Sequence, residues 1–254
     1  MPFCDIERQG AVLVVTIDRT ERLNALHSDA HFELSRIFDE FEADRGLRVA
    51  IVTGRGDRAF CAGNDLKFQA AGGSLERPKT GFGGLANRLD RTKPVIAAVN
   101  GIAAGGGCEI VLACDIAIAA ENAVFSFPEV KRGLVPLTGI HLLIRTIHAK
   151  NAMAMLISGR GVSAREARDI GLVNEVVPQG EALTGALTWA HAISDCSPSA
   201  VRTTLDLVRR SGAASSLAEA FAASYDSLAL HRAGRDFVEG PRAFAEKRPP
   251  RWDD

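Results

Sequence analysis

A chain of 254 residues is long enough to bury the core of one substantial domain, and 46% hydrophobic with 24% charged residues is the balance of a folded globular protein. A formal net charge of −1 argues against the broad basic surface that nucleic acid or an anionic membrane recruits, although local basic contacts to a phosphorylated group stay open. Five cysteines, an odd number without a CxxC pair, exclude a disulfide framework or a zinc ribbon as the organising device.

Residues 11–18 are a β-rich apolar run, and 48–54 are a second that ends in Gly54. Between them Ser28 is placed to cap a helix whose Leu34, Ile37, Phe38 and Phe41 recur at helical spacing, which makes a βαβ unit. From 69 to 84 five glycines (Gly72, Gly73, Gly81, Gly83, Gly84) and Pro78 break any periodicity, so this stretch reads as a mobile surface loop. Residues 93–99 and 115–119 supply further strands, separated by a helix that begins near Gly106. Ser163-Ala164-Arg165-Glu166 and Ser216-Leu217-Ala218-Glu219 have capping-box spacing, and the C-terminal third is expected to be helical. Ser197-Pro198-Ser199 marks the break between an α/β core of residues 1–196 and a helical region of residues 197–254. No apolar run reaches membrane-spanning length without glycine or charge, and no leader is seen, so the expectation is a soluble cytoplasmic protein.

Two glutamates stand out. Glu109 closes Gly105-Gly106-Gly107-Cys108-Glu109, and Glu129 closes Phe125-Ser126-Phe127-Pro128-Glu129 twenty residues later, after an intervening helix and strand. Glycines at a helix start let backbone N–H groups approach a ligand, and their partial positive charge suits a developing oxyanion. Two carboxylates beside such a site can divide acid and base work. Taken singly, a glycine triplet is more often a packing device and a glutamate near a helix end a solvated one. Gly54-Arg55-Gly56 lacks the frame of a phosphate loop. His27, His31, His141, His148, His191 and His231 are scattered and read as satisfied structural or surface residues, and Cys61 and Cys108 as small buried thiols.

With Ala62-Gly63-Asn64-Asp65-Leu66, Arg22-Leu23-Asn24-Ala25-Leu26, the 93–101 run Lys93-Pro94-Val95-Ile96-Ala97-Ala98-Val99-Asn100-Gly101, Gly171-Leu172-Val173-Asn174 and the 239–248 tail in this order, the chain resembles the crotonase (enoyl-CoA hydratase/isomerase) superfamily over nearly its whole length. The resemblance implies a crotonase-like fold of repeated β-β-α units with a C-terminal helical region. It implies an acyl-CoA thioester substrate, with the thioester oxygen held by the backbone N–H groups of Asn64 and Gly106, and Glu109 and Glu129 handling the water and the C2 proton. It implies further that Asn24, Ala25, Leu26, Ala62, Asp65 and Leu66 line the CoA channel. Phe244 and Lys247 would approach CoA from a neighbouring subunit of a homo-oligomer, a trimer or a dimer of trimers.

The expected activity is enoyl-CoA hydration with no metal or redox cofactor, CoA arriving as part of the substrate. A carnitinyl-CoA dehydratase-like lyase, an enoyl-CoA isomerase and a non-catalytic binding protein of the same fold are the alternatives. One stretch departs from the superfamily pattern: after Gly133-Leu134-Val135-Pro136, where many members continue with small residues and paired glycines, stands Leu137-Thr138-Gly139-Ile140-His141. The amide of Leu137 remains a candidate water contact there, and the added bulk is expected to reshape the acyl pocket.

Overall fold

The computed structural model describes residues 2–253. Its first half runs β1 (Cys4–Gln9), β2 (Val12–Ile17), α1 (Ser28–Ala43), β3 (Val49–Gly54), β4 (Ala59–Cys61), α2 (Leu66–Ala70), β5 (Val95–Val99), β6 (Ile102–Ala104) and α3 (Gly106–Ala113). Then come β7 (Ile116–Ala120), β8 (Val124–Ser126), α4 (Leu137–Thr146), α5 (Ala149–Ser158), β9 (Gly161–Ser163), α6 (Ala164–Asp169), β10 (Glu175–Val177) and α7 (Ala182–Ser194). Four helices finish the chain: α8 (Pro198–Ala213), α9 (Leu217–Ala222), α10 (Asp226–Ala233) and α11 (Arg235–Ala245).

The strands divide between a six-stranded sheet, β1-β2-β3-β5-β7-β10, and a four-stranded sheet, β4-β6-β8-β9. The large sheet is parallel from β2 onward and the small one is parallel up to β8. Each of the pairs β3/β4, β5/β6 and β7/β8 leaves one strand in each sheet before the chain turns into a helix. That is the β-β-α repeat expected from the resemblance. The βαβ unit read from residues 11–54 is also present, with β2 and β3 parallel on either side of α1.

Period-two alternation assigns the two faces of the large sheet. Val95, Ala97 and Val99 of β5 point into the core between the sheets, where they join Phe60, Ala103, Phe125 and Val162 of the smaller sheet. Ile96 and Ala98 point the other way, onto α7, whose buried Ala182, Ala186 and Ala190 recur every four residues. Small side chains on that stripe let the helix axis lie close to the sheet.

The C-terminal helices are tied back to the core by polar contacts. Buried Asp236 accepts from the hydroxyls of Ser197 and Ser199 and from the Asp253 N–H, and the Trp252 indole donates to the Asp195 carbonyl at 2.8 Å. Arg209 of α8 and Arg91 both hold Asp115, just before β7. Ser163 and Ser216 cap α6 and α9 as the sequence pattern requires.

Two local expectations are corrected. Ser28 does not cap α1: His27 occupies the cap position, and the Ser28 hydroxyl donates to the Glu76 carbonyl at 3.0 Å. The glycine-rich 69–84 stretch is a surface loop only in its first part, because Gly81, Phe82, Gly83 and Gly84 are buried. Gly83 lies against Ile110, and Gly84 against the backbone of α1 at Ser35.

The α7 contact yields a stability test. Ala186→Leu forces a larger side chain between helix and sheet, and chemical denaturation is expected to show a loss of about 1–3 kcal/mol.

Candidate active site

The site is assembled where three backbone segments meet. Asn24-Ala25-Leu26 runs beside Ala62–Asp65 through one parallel bridge, in which the Leu26 N–H donates to the Gly63 carbonyl and the Asp65 N–H to the Leu26 carbonyl, both at 2.8 Å. This pairing leaves the Asn64 N–H out of the ladder. Gly63 turns with φ +89°, and a Cβ there would stand 2.7 Å from the Ala104 carbonyl oxygen and 3.4 Å from the Gly106 nitrogen. The Asn64 turn is thereby pressed against the start of α3. As the first residue of that helix Gly106 has no intrahelical acceptor, so its N–H is free as well. Among the described residues neither amide donates to the protein.

Each glycine of the triplet is required for its own steric reason. Gly105 has φ +55° and ψ −119°, and a Cβ there would strike Oε1 of Glu129. A Cβ on Gly106 would strike the ring of Phe82, and one on Gly107 the carbonyl of Cys61. Glu109 follows one turn later, on the buried side of α3.

Glu129 reaches this junction at Gly105, Glu109 lies one turn along α3, and both carboxyls are in low-dielectric surroundings. Burial raises the Glu109 carboxyl above the usual range, and the Gly139 N–H, which donates to Oε1 at 2.8 Å, together with the field of Arg77, pulls it part of the way back. Glu129 projects from a short 3-10 turn opened by Pro128. Burial raises it too, and the Glu109 carboxylate adds to the rise. Its Oε2 is buried without a hydrogen-bond partner.

The structure brings together Asn64, Gly106, Glu109 and Glu129, the residues expected to do chemistry. The Asn64 side chain is spent elsewhere, its amide donating to Gln69 at 2.8 Å. Of the residues expected along the CoA channel, Ala25 and Leu26 are buried in the bridge, Ala62 is half-buried, and Leu66 opens α2 exposed. Asn24 turns its side chain inward, donating to the carbonyls of Arg55 and Ala59 and accepting from the Arg19 N–H. Asp65 caps α2 through the Phe68 N–H and pairs with Arg19 at 3.1 Å. Only backbone groups of these two remain for a ligand. Phe244 is 87% exposed near the end of α11, which packs on α8 and α10, and Lys247 follows in a left-handed conformation.

Other readings need revision. The Leu137 amide donates to the Val135 carbonyl, and its side chain is 68% exposed, so the amide that meets a site carboxylate is that of Gly139. His31 is not satisfied: its Nδ1 accepts from the Gly83 N–H at 3.1 Å, but its buried Nε2 has no partner. Burial, with Arg77 next, lowers its pKa to about 3. Phe82, Gly139 and His31 escaped the sequence reading because nothing in their local spacing ties them to Gly106 or Glu109. Cys61 and Cys108 are buried thiols, as read, the former pushed by burial up to about 12.

The enoyl-CoA hydratase/isomerase family model matches residues 7–254. A mevalonyl-coenzyme A hydratase of Aspergillus fumigatus is 40% identical over 247 residues, 95% of this chain and 91% of that protein. A carnitinyl-CoA dehydratase of Proteus mirabilis is 39% identical over 255 residues, 96% of this chain and 95% of that protein. The crystal structure of an enoyl-CoA hydratase from Mycobacterium tuberculosis superposes with a TM-score of 0.94 at 37% identity, covering 100% of this chain and 99% of that one.

The raised carboxyls carry a stability consequence of definite sign. For a carboxyl whose folded pKa lies above its unfolded value, the ionised form is the unfavourable one in the fold. Its favourable contribution is full below the ordinary carboxylate range and is lost as pH rises through the raised value. Glu109→Gln removes the charge and keeps an oxygen for the Gly139 N–H. At about pH 8 this variant is expected to melt above the parent, by about 2–4 °C if on the order of 1 kcal/mol is relieved. The gap should close toward about pH 4, where both side chains are neutral. Equal melting temperatures across that range would contradict the assignment.

Proposed function

The chain belongs to the enoyl-CoA hydratase/isomerase family, and on that ground we propose that it adds water reversibly to a 2-enoyl-CoA thioester. The observation that carries this reading is a buried and a half-buried glutamate beside two unused backbone donors, the half-buried Glu129 keeping a carboxylate oxygen without a partner.

The Asn64 and Gly106 N–H groups take the thioester oxygen and gain most when negative charge arrives there. Glu109, whose ionised form is favoured by the Gly139 N–H, accepts a proton from water as the water oxygen bonds C3. The π electrons of the C2–C3 double bond move onto the thioester as an enolate. Glu129, whose neutral form is favoured by the neighbouring Glu109 charge, delivers its proton to C2. One proton enters the pair and one leaves it. The two carboxyls titrate as a coupled unit. This chemistry draws on no metal or redox group, and the setting we propose is the cytoplasm.

For the rest of the substrate, the proposal runs the CoA moiety past Asn24-Ala25-Leu26, Ala62 and Asp65-Leu66, with Phe244 and Lys247 reaching it from another subunit. Support comes from α11, where Phe237 and Phe244 lie seven residues apart and both are exposed, leaving one helical face uncovered in the single chain.

In isotopically labelled water the product oxygen is expected to come from solvent. Conversion of 3-enoyl to 2-enoyl esters without labelled oxygen in any product would instead make the protein an isomerase. Glu109→Gln and Glu129→Gln should each bind ester yet lose at least about a hundredfold in turnover, and the double variant should lose far less than the product of the two. Phe244→Ser is expected to shift the elution volume toward a smaller assembly and to raise KM for the ester together. An unchanged assembly with an unchanged KM would remove the subunit contact from the proposal.

A further inference from the structure

The segment between α2 and the buried Phe82 turn carries a cation that the hydration chemistry does not use. Arg77 places its guanidinium carbon 5.2 Å from the centroid of the Phe82 ring. That same ring lies so close over Gly106 that a Cβ there would collide with it, and it meets the His31 ring in a T-shaped contact with centroids 4.4 Å apart. One aromatic ring therefore touches both the Arg77 charge and the turn that offers the oxyanion donors.

Arg77 forms no ion pair and no hydrogen bond among the described residues. If its purpose were to neutralise Glu109 it would sit against that carboxylate, yet it lies over Phe82 instead. Its field nonetheless reaches inward, holding down the pKa of both Glu109 and His31. His31 adds no second charge. It is 1% exposed and neutral, with Nδ1 accepting from Gly83, so its proton is on Nε2, where no protein acceptor meets it. The surroundings of Phe82 thus present an unpaired cation and an unmet N–H donor, while the Glu109 oxygens are committed to Gly139 and to the reaction.

We propose that the acyl chain taken by this site ends in a carboxylate, and that Arg77 is the specificity-determining residue that receives it across the face of Phe82. The preferred substrate class is then a monothioester of an unsaturated dicarboxylic acid. A neutral acyl end forgoes the guanidinium, and a cationic end meets it as a like charge. This inference rests on the hydratase reading for the chemistry but not for the charge preference.

The test compares three 2-enoyl-CoA esters of equal chain length that end in a carboxylate, a methyl or a trimethylammonium group, assayed with the parent, Arg77→Met and Arg77→Lys. For the parent, kcat/KM is expected to fall in that order, the carboxylate leading the methyl ester by about tenfold, equivalent to about 1.4 kcal/mol. Arg77→Met should remove that lead by raising KM for the carboxylate ester and not for the methyl ester, and Arg77→Lys should restore most of it.

Absence of a charge preference in the parent overturns the proposal. So does an equal rise in KM for all three esters in Arg77→Met, which would put the guanidinium on the CoA phosphates. Calorimetric binding of the three saturated esters separates this question from the reaction. Tighter binding of the carboxylate ester that Arg77→Met abolishes upholds the inference even if no ester is hydrated, whereas hydration without charge preference leaves the hydratase reading standing and sinks the inference.

Discussion

Everything at the site depends on the contact of backbone with backbone between the Gly63 turn and the start of α3. Two free N–H groups can point at one ligand oxygen only if their chains approach more closely than side chains permit, and here the absent Cβ atoms of Gly63 and Gly107 are what allow it. The parallel sheets make the approach possible, because β4 and β6 are neighbours and both loops leave from the same end. Geometry that costs no reorganisation during reaction is the usual source of electrostatic stabilisation. A donor pair built from the main chain is also fixed as firmly as the core beneath it, here Phe60, Ala103 and Ile110.

The glutamates are held on different terms. Glu109 belongs to a regular helix and anchors the first turn of α4 across thirty residues of chain. Glu129 stands on a short turn closed by Gly133 in a left-handed conformation, and its carboxylate fills the space that a side chain at Gly105 would need. One group is thus stiff and already hydrogen-bonded, the other packed but unpartnered. Such asymmetry separates the proton affinities of two otherwise identical side chains.

The sequence was legible wherever chemistry and local pattern coincide. β5 and β7 announce themselves as short apolar runs, the triplet before Glu109 marks the start of α3, and Ser163 and Ser216 signal their helices. It was illegible where a partner is distant in sequence. Nothing near Gly139 shows that the cap of α4 is a carboxylate on α3, because Pro136 at the cap position has no side-chain acceptor. Phe82 is flanked by glycines and so reads as loop, although it is buried against both α1 and α3. Ser28 yields the cap position to His27, its hydroxyl donating instead to Glu76, forty-eight residues away.

The segment that carries Arg77 is bounded on one side by α2, pinned through Asp65 and Arg19, and on the other by the buried 81–86 turn. Its residues between those anchors are largely exposed and add nothing to either sheet. Substitution or a change of length there leaves the glycine junction and both glutamates where they are, since surface connections tolerate such changes at small thermodynamic cost. The scaffold therefore separates two heritable traits: a reaction written into the frame, and a choice of acyl group carried on a strip that can be rewritten alone, which makes that strip the place to graft when a new substrate is wanted.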